Sequence, residues 1–71
     1  MEIVPITTEY IRLQDLLKLA GLVSTGGEAK IAVAAGEASV NGEICAQRGN
    51  KLRPGDVIRF RGRELGVSYA D

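Results

Sequence analysis

Apolar and polar positions along the chain alternate first with a helical period and then with a strand period. Leu13, Leu16, Leu17 and Ala20 recur at i, i+3, i+4 and i+7, which is one face of a helix. Thr8, followed by Glu9, is the expected N-cap of that helix and Gly21 its end. A second helix is expected to begin at Thr25, because Thr25 and Glu28 stand in the capping-box relation. The Thr25 hydroxyl accepts from the amide three residues on, and the Glu28 carboxylate reaches back to Thr25's own N–H. Lys30 to Ala35 supply small and apolar side chains for the body of this helix, and Gly36 closes it.

Beyond Gly36 the period becomes two. Asn41-Gly42 suits a type I′ hairpin, whose central residues both need positive φ, and that turn pairs Ala38–Val40 with Glu43–Cys45. Arg53-Pro54-Gly55-Asp56 fits a type II turn. Val57–Arg61 then alternates, with Ile58 and Phe60 on one face and Val57, Arg59 and Arg61 on the other. A II′ turn at Gly62-Arg63 is expected to lead into Leu65, Val67 and Tyr69. Met1–Thr7, interrupted by Pro5, reads as an extended lead-in or edge strand, and Ala46–Lys51 as a basic loop whose end Leu52 pins to the core. The fold class that follows is α+β: two short helices packed on a small, mostly antiparallel β-sheet, in a single domain spanning residues 1–71.

Composition narrows the chemistry. Hydrophobic residues make up 45% of the chain but only Tyr10, Phe60 and Tyr69 are aromatic, so the core is aliphatic, with Phe60 and Tyr69 expected inside it. Cys45 has no partner for an internal disulfide and is expected as a buried, inert thiol on a strand. Without histidine and with one cysteine, the chain has no zinc site and no Cys–His nucleophile, and no metal or cofactor is expected. Gly21 and Gly26 are spaced as in the first half of a phosphate-binding loop, but Gly27 and Glu28 stand where its Lys and Ser/Thr belong, which excludes nucleotide hydrolysis of that kind. Serines 24, 39 and 68 have no candidate base except lysine, and Glu9, Glu28 and Asp56 have plain roles at helix starts and after a turn. The expectation is a non-enzymatic protein with no small-molecule substrate. No apolar run approaches a membrane span or a leader segment, so a cytoplasmic protein is expected, and a monomer is the accompanying expectation.

Charge changes the picture again. The chain is neutral overall, yet Arg48 to Arg63 carry +5 while residues 1–47 carry −3. Such asymmetry is the sequence footprint of a polyanion site. The free amides of Gly26, Gly27 and Glu28 at the second helix start could also receive a phosphate oxygen. Two readings follow: a protein that binds structured RNA through phosphate and shape contacts, or a small interaction module whose basic strand face docks an acidic protein.

An ordered set of motifs separates them. Arg12-Leu13, Thr25 at a helix start, Ala29-Lys30, Gly36, Val40-Asn41-Gly42 and Leu52-Arg53-Pro54-Gly55-Asp56 resemble the alpha-L RNA-binding motif, the "S-four" domain, over about residues 10–60. The short length, the Ser-Thr-Gly-Gly-Glu-Ala-Lys run and Arg48-Gly49-Asn50-Lys51-Leu52 are similar to the stand-alone bacterial YbcJ/YaaA-like subgroup. The resemblance implies binding of structured RNA, ribosomal or ribosome-associated, against the helical pair and the adjacent hairpin. It implicates Arg12, Thr25, Lys30 and Asn41. Gly26 and Gly27 join them as backbone donors, and charge adds Arg48, Lys51 and Arg53. Two departures stand out: Gln14 where many members carry aspartate, and Gly26 where an arginine often follows the serine or threonine. A sulfur-carrier reading expects a terminal Gly-Gly, whereas the sequence ends Tyr69-Ala70-Asp71.

Overall fold

In the computed structural model, which describes residues 1–70, the chain runs as nine short elements. These are β1 (Glu2–Ile6), β2 (Ile11–Arg12), α1 (Leu13–Leu19), α2 (Gly26–Ala34), β3 (Ala38–Val40), β4 (Glu43–Ile44), β5 (Lys51–Leu52), β6 (Val57–Phe60) and β7 (Arg63–Tyr69). Five strands form one sheet in the order β1-β7-β6-β3-β4, and β2 with β5 forms a separate two-stranded ladder. Every pairing is antiparallel except β1 with β7. The expected α+β class, two helices on a mostly antiparallel sheet, is the architecture observed.

Alternation explains the sheet's inner face. Ile58 and Phe60 from β6, Leu65 and Val67 from β7, and Val4 and Ile6 from β1 are buried against Leu13, Leu16 and Leu17 of α1 and Ala29, Ala32 and Val33 of α2. Each fully buried leucine or phenylalanine contributes about 1.5–3 kcal/mol of transfer free energy, so the small core is held mainly by this interleaving. Tyr69, expected inside, is 59% exposed at the last position of β7. Cys45 is half-buried rather than buried, its thiol donating to the Gln47 carbonyl at 3.5 Å.

The first helix starts later than the Thr8–Glu9 cap predicts. Thr8 instead donates its hydroxyl to the Tyr10 carbonyl at 2.8 Å, the chain bends through Thr7–Glu9, and Ile11–Arg12 is extended, with Arg12 as an N-cap that makes no side-chain capping bond. The reason is tertiary. Ile11–Arg12 pairs with Lys51–Leu52, and the first amides of α1 are satisfied by the loop ahead of β5: Leu13 N–H donates to the Asn50 carbonyl and Gln14 N–H to the Arg48 carbonyl, both at 2.9 Å. Helix-start amides need an acceptor, and here a distant loop supplies it.

The second helix begins as expected. Thr25 Oγ1 accepts from Glu28 N–H at 3.1 Å, while the Glu28 carboxylate reaches one residue further back than a capping box requires, to Ser24 N–H at 2.7 Å. The Asn41-Gly42 turn has φ of 51° and 88° and joins β3 to β4 in the expected register. The β6–β7 turn is Arg61-Gly62, at φ 49° and 79°, not the expected II′ turn at Gly62-Arg63. Phe60 pairs with Arg63, so a two-residue I′-type loop places a side-chain-bearing residue in the left-handed region.

Candidate nucleic-acid interface

The β2–β5 ladder gathers the cations. Arg12 and Lys51 are direct partners across it, Arg53 follows β5 immediately, and the Arg48 carbonyl is held on Gln14 at the first turn of α1. All four side chains are exposed, and none has a carboxylate within ion-pair distance among the described residues. A ladder of only two residue pairs therefore joins the start of α1 to the basic loop and fixes one positively charged edge.

The remaining basic residues of the stretch from Arg48 to Arg63 behave differently. Arg59 pairs with Glu64 at 3.3 Å, Arg61 with Glu37 at 2.8 Å and with Glu28 at 3.8 Å, and Arg63 with Glu2 at 2.6 Å. Charge-assisted hydrogen bonds from Arg63 and Arg61 hold the Glu2 and Glu37 carboxyls below their ordinary value. The strand face that the sequence marks as basic thus carries its own counter-charges. Fold geometry separates the run into a neutralised sheet face and a free cationic edge.

The other candidates occupy two further places. Thr25, Gly26, Gly27 and Lys30 lie at the start of α2, where the Thr25 hydroxyl is committed to the Glu28 amide and Lys30 is exposed without a carboxylate partner among the described residues. Asn41 is bound to the turn after β5: its Oδ1 accepts from Val57 N–H at 2.9 Å and its Nδ2 donates to Asp56 at 3.1 Å. Asp56 in turn accepts from Arg53 N–H at 2.8 Å, so the Asn41 side chain braces the turn that carries Arg53. No hydrogen bond or ion pair connects the α2 start to the β2–β5 edge among the described residues.

Sequence reasoning passed over Tyr10. Its half-buried ring lies 4.8 Å from Lys51 Nζ and 6.0 Å from the Arg12 guanidinium carbon, measured to the ring centroid. Among the described residues there is no cluster of three or more His, Cys, Asp or Glu that could hold a metal ion, and no helix long and apolar enough to cross a membrane.

The fold of a helical pair on a mostly antiparallel sheet has counterparts among known proteins. The family model described as "S4 domain" matches residues 4–68. The chain belongs to the S4 domain family. This S4 domain is 36% identical over 58 residues to YbcJ of Escherichia coli, covering 82% of this chain and 83% of YbcJ. It is 42% identical over 59 residues to the Bacillus subtilis protein named "Probable ribosome maturation protein RlbA", covering 83% of each. The solution structure of Escherichia coli YbcJ, described as revealing an alpha-L motif involved in RNA-binding, superposes with a TM-score of 0.68 at 31% identity, over 94% of this chain and 84% of that one. The 30S ribosomal protein S4e of Thermoplasma acidophilum gives a TM-score of 0.69 at 25% identity, over 92% of this chain but 34% of that longer protein. The resemblance read from the sequence is thereby borne out at the level of family and fold.

Proposed function

We propose that this S4 domain is a non-enzymatic, monomeric cytoplasmic protein that binds structured RNA, ribosomal or ribosome-associated, through phosphate and shape contacts. The observation that carries the reading is the opposition of Arg12 and Lys51 across the β2–β5 ladder, with Arg48 and Arg53 adjoining and no acid paired to any of them among the described residues. Unpaired exposed cations on a rigid edge suit phosphate oxygens, whose release of counterions drives association. The relative named for ribosome maturation and the likeness to a ribosomal protein support ribosomal RNA as the class of partner.

Arg12, Arg48, Lys51 and Arg53 are the primary contacts in this reading. Lys30 and the Thr25–Gly27 helix start make the second contact, where Gly26 offers a backbone amide in place of a side chain. Asn41 acts by bracing the turn beside Arg53. The test is binding of the purified chain to folded ribosomal RNA fragments and to a mixed-sequence single strand across a salt series. Preference for folded RNA with steep salt dependence is expected, and absence of binding to either near physiological salt overturns the reading.

A further inference from the structure

We propose that Tyr10 is the positioning residue of a two-cation phosphate site, its ring holding Arg12 and Lys51 so that both close on one phosphate group. The proposal rests on the RNA reading above and names the ligand chemistry at its centre.

Arg12 and Lys51 are Cα partners on an antiparallel ladder. Like charges directly opposite one another on such a ladder repel, and no carboxylate separates this pair among the described residues. What lies beneath both is the Tyr10 ring, with Lys51 Nζ at 4.8 Å and Arg12 Cζ at 6.0 Å from its centroid. Tyr10 lies immediately before β2, and from there its ring reaches the side chains of both members of the Arg12–Lys51 pair. The negative face of an aromatic ring attracts cations without neutralising them. A carboxylate at the same place would also order the two side chains, but it would cancel their charge and repel an anion.

The frame around the ring is fixed on both sides. Thr8 Oγ1 donates to the Tyr10 carbonyl at 2.8 Å, and the residues after Arg12 are tied to the Asn50 and Arg48 carbonyls. Two like charges are thus kept together with their charge intact, an arrangement that a bound anion relieves. A planar guanidinium beside an ammonium suits the non-bridging oxygens of a phosphate. Those oxygens occur in an RNA phosphodiester and in a free phosphate, and the experiment separates these sources.

Binding of a labelled RNA stem–loop is measured for wild type, Tyr10→Phe and Tyr10→Leu, with each Tyr10 variant repeated in an Arg12→Gln/Lys51→Gln background. In parallel, the Tyr10 ring and Lys51 Nζ resonances of the wild-type chain are followed by NMR during titration with the stem–loop and with inorganic phosphate. Tyr10→Phe is expected to bind as wild type and Tyr10→Leu to weaken binding roughly fivefold or more. That loss disappears in the charge-neutralised background, and RNA moves both resonances. A Tyr10→Leu loss that persists in that background, a Tyr10→Phe loss, or unmoved Tyr10 resonances while RNA binds overturns the site and leaves the RNA reading standing. Should Tyr10→Leu fail to fold, the wild-type resonances decide alone. Response to phosphate with no RNA binding keeps the site and removes the RNA reading; response to neither removes both.

Discussion

Glu37 accepts two hydrogen bonds from Arg61, at 2.8 Å from Nε and 3.3 Å from Nη2, and so clamps the β6–β7 turn to the segment that follows α2. Arg61 adopts φ 49°, a conformation unfavourable for any residue with a side chain but required by the two-residue turn, and the bidentate carboxylate anchors its side chain there. Glu2 and Arg63 form a second fork that ties β1 to the start of β7.

These forks make stability depend on acid in a definite direction. Hydrogen bonds from Arg61 and Arg63 lower the folded-state values of Glu37 and Glu2 below the ordinary value of 4.5. Between the folded and unfolded values the unfolded chain binds more protons, so stability rises with pH there. The contribution is complete above 4.5 and disappears as pH falls through the lowered folded values. Thermal midpoints recorded from neutral pH downward should fall through this window in the wild type. Glu2→Gln/Glu37→Gln should start lower at neutral pH and show a shallower fall; an equally steep fall assigns the acid sensitivity elsewhere.

Asn41 is expected to be a structural brace. Asn41→Gly preserves the positive φ but removes the bonds to Val57 N–H and Asp56, which should cost about 1–2 kcal/mol by denaturant unfolding. Asn41→Asp places a carboxylate against Asp56 and should cost more at neutral pH than in acid. Equal stability of all three proteins would show that the turn needs no brace.

Thr25 separates capping from contact. Thr25→Ala loses the bond to Glu28 N–H and should destabilise by about 1 kcal/mol, and Thr25→Ser should restore it. RNA affinity of folded Thr25→Ala is expected to fall less than that of Lys51→Ala. A larger fall would make the α2 start the primary contact.

What the sequence made legible, and what it did not, follows from the range of the interactions involved. The Thr25 cap, the Asn41-Gly42 turn and the alternation of Ile58 and Phe60 are decided within a few residues, and each appears as read. Thr8 failed as a helix cap because Leu13 and Gln14 find their acceptors in a loop about three dozen residues away, and no local pattern encodes that ladder. The Arg61-Gly62 turn escaped notice because its strained residue is supported by Glu37 from another part of the chain. Charge was legible as an excess between Arg48 and Arg63, but which of those cations remain free depends on Glu2, Glu28, Glu37 and Glu64. Tyr10 was hidden for the same reason, since its link to Lys51 exists only once β2 meets β5.

The most direct test of that division compares Lys51→Ala with Arg59→Ala in the salt dependence of binding to a folded ribosomal RNA fragment. Lys51 stands on the free edge, whereas Arg59 is paired with Glu64 on the sheet face. Each phosphate contact contributes roughly 0.9 to the slope of log affinity against log salt. Lys51→Ala should lower that slope by about one and Arg59→Ala should leave it unchanged. A slope untouched by Lys51→Ala, or one reduced by Arg59→Ala instead, would contradict the assignment of RNA to the β2–β5 edge.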